Sequence, residues 1–161
     1  SSTFLRGDNS WQTAGGGTDA TFLALNSSAQ SNVTGTGTVA TLDADTEVFD
    51  VGTNFASDTF TAPVAGKYLL IGQIRKSGIT GAADTVQQSI QTSNREYSGV
   101  SSNTNDLGDL RTDGMSCIAD MDASDTATFR TYISGEGSNV VDFDGAANPR
   151  SFFCGALLVE D

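Results

Sequence analysis

Residues 60–75 constrain the fold more than any other part of the chain: Phe60-Thr61-Ala62-Pro63-Val64-Ala65-Gly66-Lys67-Tyr68-Leu69-Leu70-Ile71-Gly72-Gln73-Ile74-Arg75. A turn built on Pro63 and Gly66 releases a long apolar run that stops at Lys76-Ser77-Gly78. Side chains alternate across a strand, so Tyr68, Leu70, Gly72 and Ile74 share one face and Leu69, Ile71, Gln73 and Arg75 the other. Both faces begin apolar. An edge strand of a wetted sheet carries one polar face throughout, so this run predicts a central strand covered on both sides.

From residue 20 onward, short apolar segments alternate with clusters of Gly, Asn, Asp and Ser, and none keeps a helical period over ten or more residues. The domain is expected to be all-β. Ten strands are predicted, at residues 21–25, 37–42, 46–51, 59–61, 68–75, 85–92, 115–121, 126–134, 140–143 and 151–159. That number and spacing suit a sandwich or jelly roll.

Periodicity sorts these strands into two kinds. Residues 85–92 set Val86 and Ile90 against Thr85, Gln87, Ser89 and Gln91, and residues 140–143 set Val141 and Phe143 against Asp142. The last strand instead has Phe152, Cys154, Ala156 and Leu158 on one face and Phe153, Gly155, Leu157 and Val159 on the other; Phe22 to Leu25 is similarly mixed. One sheet is therefore expected to be wet outside, and the other covered twice, by the sandwich core and by a second body. No sequence remains to supply covering helices, so the second body is most simply another copy of the chain, and a homo-oligomer is predicted. The residues expected at the core or the subunit interface are Phe22, Tyr68, Leu69, Leu70, Ile71, Phe152, Phe153 and Leu157. The sequence does not say which of Tyr68 and Leu69 faces the core.

The chain has 161 residues, enough for one domain that buries roughly 70% of its unfolded surface. No apolar run is long enough to cross a bilayer as a helix, so membrane insertion is not expected. Twenty acidic residues against eight basic ones give a net charge of -12, which repels phosphates and argues against nucleic-acid partners. Cys117 and Cys154 form no metal-type pair and sit in apolar strand-like runs, so two buried free thiols are expected.

Residues 1–19 contain Gly15-Gly16-Gly17 and few apolar side chains, and read as a flexible leader or fibre-shaft linker before a head domain at 20–161. Phe4-Leu5-Arg6-Gly7-Asp8-Asn9-Ser10-Trp11-Gln12 resembles the short segment that recurs in bacteriophage tail-fibre proteins just before a C-terminal globular head. It contains Arg6-Gly7-Asp8, an integrin-type tripeptide, but a linker is the expected role.

Within the head, Phe49-Asp50-Val51-Gly52-Thr53-Asn54-Phe55 followed by Phe60-Thr61-Ala62-Pro63-Val64-Ala65-Gly66-Lys67-Tyr68 resembles the signature of the complement C1q-type globular head, a jelly roll shared with tumour necrosis factor ligands. Met121-Asp122-Ala123-Ser124-Asp125 resembles the turn in which that family carries Ala-Gly-Asp, and Phe153-Cys154-Gly155-Ala156-Leu157-Leu158 resembles its closing strand. Against the family pattern, Ser124 replaces the turn glycine, Cys154 a serine and Ala156 an aromatic, and the loop at Ser57-Asp58-Thr59 is short. The resemblance implies a ten-stranded jelly-roll sandwich forming a tight homotrimer, with inner sheets packed around the axis.

The chain has no histidine, which removes the usual general base, the Ser-His-Asp and Cys-His arrangements and the commonest zinc ligand. A carboxylate pair is the remaining hydrolytic option, but acids such as Asp43, Asp45, Asp122 and Asp125 fall in turn-like segments, where Asp bonds nearby backbone. An enzyme is not expected. Calcium is the one cofactor with a candidate site, at Asn103, Asn105, Asp106 and Asp109, because that loop is dense in hard oxygen donors; its spacing is not that of an EF-hand. Asn26-Ser27-Ser28 and Asn32-Val33-Thr34 match the N-glycosylation pattern, which matters only in a eukaryotic secretory pathway.

The expected function is a trimeric viral tail-fibre head, a structural host-adhesion module that binds a cell-surface receptor by avidity. Its Ser, Thr, Asn and Asp loops suit glycans. The alternatives are a structural trimerisation cap, or a bacterial or animal C1q-like extracellular recognition protein.

Overall fold

The computed structural model describes residues 3–5, 11–13, 19–102 and 110–161. Every regular element among them is a β-strand. Within residues 1–19, β1 (Thr3–Leu5) pairs antiparallel with β2 (Trp11–Thr13), Phe4 lying opposite Gln12.

The rest is a two-sheet sandwich. One sheet has seven strands: β3 (Thr21–Leu25), β4 (Gln30–Thr34), β6 (Thr46–Val51), β9 (Gly66–Ser77), β12 (Arg111–Met121), β14 (Val141–Phe143) and β15 (Phe152–Glu160). The other has six: β5 (Thr38–Thr41), β7 (Phe55–Ala56), β8 (Thr59–Thr61), β10 (Thr85–Thr92), β11 (Glu96–Ser102) and β13 (Thr126–Ser134). All ten expected strands are present. The expected count of ten is nevertheless too low, because β4, β7 and β11 bring the described sandwich to thirteen. All the pairings are antiparallel.

The strand read from residues 68–75 is the centre of the larger sheet. β9 runs 12 residues, pairing with β12 along one edge and with β15 and then β14 along the other. β15 in turn pairs with β3, and β3 with β6. Burial alternates strictly along β9: Tyr68, Leu70, Gly72 and Ile74 point into the sandwich, while Leu69, Ile71, Gln73 and Arg75 point outward. The apolar run does not stop the strand at Lys76. Pairing with Arg111 and Phe143 continues the ladder, and the Lys76 side chain is fully buried because Asp113 Oδ2 accepts from its Nζ at 2.9 Å.

Aromatic rings fill the space between the sheets. Phe22 stacks on Phe60 and Phe55 at centroid separations of 4.8 and 5.0 Å and meets Phe153 edge-on at 5.2 Å. Phe129 stacks on Phe153, and the Tyr68 hydroxyl donates to Val64 O at 2.8 Å. Pairs of this kind add about 0.5–1.5 kcal/mol each beyond simple burial. Gly72 is required here, since a Cβ at that position would lie 2.3 Å from the Phe129 ring.

Two turns explain departures seen in the sequence. Ser57 and Asp58 both have positive φ, 48° and 63°, and join β7 to β8 as a two-residue hairpin of the type whose twist matches its strands. Ser124 has φ 75° in the turn between β12 and β13, so the serine occupies a backbone conformation that glycine adopts without strain.

Candidate recognition faces

The outward face of the seven-stranded sheet is apolar in registered rows. Ser116, Ile71, Cys154, Leu23 and Phe49 lie side by side across five strands, and the next row is Ile118, Leu69, Ala156, Thr21 and Val51. Ile118 is 61% exposed and Phe49 46%, while Leu69, Ile71 and Cys154 are half-buried. Between them Phe49, Leu69, Ile71 and Ala156 line a shallow depression of about 320 Å³. A third row carries Gln73 and Phe152 beside Leu25. There the face turns polar: Gln73 Nε2 donates to Arg150 O at 3.0 Å and Arg75 pairs with Asp144 at 3.1 Å, pinning the connection that precedes β15.

The outward face of the six-stranded sheet has a different chemistry. Thr85, Gln87, Ser89 and Gln91 of β10 point away from the core, as do Thr128, Arg130 and Tyr132 of β13, while Val86, Ile90, Phe129 and Ile133 point inward. The expectation of one wetted sheet and one doubly apolar sheet thus describes the two outward faces.

The residues expected at core or interface divide between these environments. Phe22, Tyr68, Leu70 and Phe153 are buried in the sandwich, and Leu157 packs against the same cluster partly buried. Leu69, Ile71 and Phe152 are half-buried on the outward face. The calcium candidates Asn103, Asn105, Asp106 and Asp109, and the Arg6-Gly7-Asp8 tripeptide, lie outside the described residues. Among the described residues no group of three or more Cys, Asp and Glu side chains is placed to hold a metal ion.

Several polar groups behave differently from the sequence expectation. Asn26, first residue of a glycosylation-type triplet, is fully buried with its Nδ2 donating to Gln30 Oε1 at 3.2 Å, so it is not open to modification. Asp45 accepts from the backbone and hydroxyl of Ser27, a partner distant in sequence. Asp125 is the local-turn acid the sequence suggests. It accepts from Ser93 Oγ and Asp122 N, bonds that hold its carboxyl below the ordinary value. Both cysteines are free and half-buried rather than fully buried; burial raises both thiols, Cys117 to about 11, and leaves them poor nucleophiles.

One ionic group was not legible beforehand. Lys76 and Arg111 converge on Asp113 at 2.9 and 2.7 Å, and burial lowers Lys76 to about 8 despite the aspartate.

The two sheets, packed face to face around an aromatic core, form an all-β sandwich whose fold matches solved domains of the C1q and tumour necrosis factor type. The globular domain of zebrafish complement 1qA superposes with a TM-score of 0.62 at 12% identity, covering 89% of this chain and 99% of that one. Murine APRIL at pH 5.0 superposes with a TM-score of 0.60 at 14% identity, covering 87% of this chain and 99% of that one. No protein-family model matches the chain, and no curated protein sequence does. At such identities the likeness establishes the fold.

Proposed function

We propose that this chain forms the trimeric, non-enzymatic head of an extracellular or virion-borne recognition fibre. Three copies meet through the outward face of the seven-stranded sheet and turn the six-stranded sheet toward a receptor. The observation that carries this reading is the pair of apolar rows through Ile71 and Leu69, which no part of the described chain covers. Burying such area against a second copy stabilises by about 25 cal/mol for each Å² removed from water. The opposite face is mainly polar, with Val39 and Val100 its exposed aliphatic side chains, and has a smaller drive to associate. Likeness in fold to a complement 1q head supports a recognition role. The tail-fibre-like segment at residues 4–12 supports attachment of the head at 20–161 to a fibre shaft.

Sedimentation equilibrium tests the assembly. A trimer at micromolar concentration that becomes monomeric on Ile71→Asp supports it, and a monomeric wild type overturns it. A purely structural cap would use the same face, so the recognition role needs a separate measurement: removing the head from its parent fibre. Fibres that still assemble but no longer adhere favour recognition, whereas fibres that fail to trimerise favour a cap.

A further inference from the structure

The outward face of the six-stranded sheet holds one cation within its strands, Arg130, at the centre of a registered polar patch. Its row runs Ser98, Ser89, Arg130, Thr41, placing hydroxyls on either side of the guanidinium across four strands. The adjacent row runs Val100, Gln87, Tyr132, Val39, an aromatic ring with an amide and two aliphatic side chains. Two neighbouring depressions, of about 450 and 210 Å³, share Gln91 and Arg130 in their walls, and Ser89, 5% exposed, lines the smaller one.

Arg130 is unlike the other strand-borne cations. Lys67, Arg75, Lys76 and Arg111 each pair with an aspartate, on a chain of net charge -12. Arg130 makes no ion pair among the described residues; its Nε donates to Thr128 Oγ1 at 3.0 Å, which orients the guanidinium and leaves its terminal nitrogens without a carboxylate. The nearest acid lining the same depression, Glu96, accepts from Gln87 Nε2 at 3.1 Å and stands two strands from Arg130, a lateral distance of about 10 Å. Guanidinium is suited to a bidentate grip on a planar carboxylate. The flanking hydroxyls and amides suit sugar hydroxyls, and Tyr132 and Val39 supply an apolar surface for the C–H face of a pyranose ring.

We propose that this patch binds a carboxylated saccharide, with Arg130 gripping the carboxylate and Tyr132 carrying the sugar ring. The site deepens the recognition role above and rests on it. It lies on the opposite face of the sandwich from the apolar rows, so assembly leaves it open.

The test titrates the full chain with a galacturonic acid tetrasaccharide and with its methyl ester, which keeps the rings and removes the charge. Wild type is expected to bind the free acid at least about tenfold more tightly than the ester, with affinity falling as salt rises. Arg130→Gln should erase that preference, and Tyr132→Ala should weaken both ligands together. Equal binding of acid and ester by wild type, unchanged affinity in Arg130→Gln, or no binding at millimolar sugar each overturns the site. Circular dichroism and sedimentation of the same samples separate the causes: folded, trimeric protein without Arg130-dependent binding discards this site alone, whereas monomeric protein that binds discards the assembly alone.

Discussion

The two outward faces of the sandwich come from antiparallel strands of similar length, yet they place opposite chemistry at equivalent positions. On the seven-stranded sheet, the central outward positions of β9 and β15 include Leu69, Ile71, Cys154 and Ala156, before the face turns polar at Gln73 and Arg75; on the six-stranded sheet, those of β10 and β13 include Gln87, Ser89, Arg130 and Tyr132. Inward positions are mainly apolar in both sheets, because both close the same core, with Lys76, Gln88 and Thr131 as buried polar exceptions. The difference therefore owes nothing to folding the monomer. It teaches that the outward residues of a sandwich record what each sheet meets after folding.

That contrast can be broken most severely at Ile71. Placing aspartate there puts three like charges into the proposed shared interface, an uncompensated burial that costs several kcal/mol, and the trimer should be lost in sedimentation. Aspartate at Gln91, on the opposite face, should leave the mass unchanged. Next in size is Gly72→Ala, on the reverse side of the same strand: the added methyl collides with Phe129 and should cost about 3 kcal/mol in urea unfolding of the dissociated Ile71→Asp background.

Lys76 gives a pH test independent of either face. Its folded pKa of about 8 lies below the ordinary lysine value of 10.5, so the unfolded chain binds more protons between those values and stability rises with pH across that window. The slope contributed is at most about 1.4 kcal/mol per pH unit, and Lys76→Met should remove it when the two proteins are unfolded side by side. A smaller gain is expected from Ser124→Gly, which relieves the positive φ and should raise stability by about 1 kcal/mol. Smallest of all, Gln87→Ala on the wetted face should change stability by less than about 0.5 kcal/mol.

Much of this division was legible in the sequence, because a two-residue period reports directly on burial. The alternation in β9 located the central strand, and the contrast between residues 85–92 and 151–159 distinguished the sheets. What escaped was structure stabilised from outside the segment. β4 and β11 lack an apolar period; the first is held by pairing with β14, the second by its ladder to β10. Lys76 looked like a strand end because the carboxylate that permits its burial lies on β12, 37 residues away. The polar patch around Arg130 needed the register of β5, β10, β11 and β13, which no single segment contains.

The pairing of β3 with β15 carries a consequence for how the protein is made. The first and last strands of the sandwich are neighbours, with Leu23 opposite Cys154. The larger sheet cannot close until the ribosome has delivered its final strand, on the order of ten seconds after the first at typical elongation rates. β9 emerges with apolar side chains on both faces, gains β12 as a partner only partway through that interval, and lacks β15 until its end. The strand that organises the folded sandwich is thus a liability during synthesis, and expression yield should depend on shielding it until β15 has emerged.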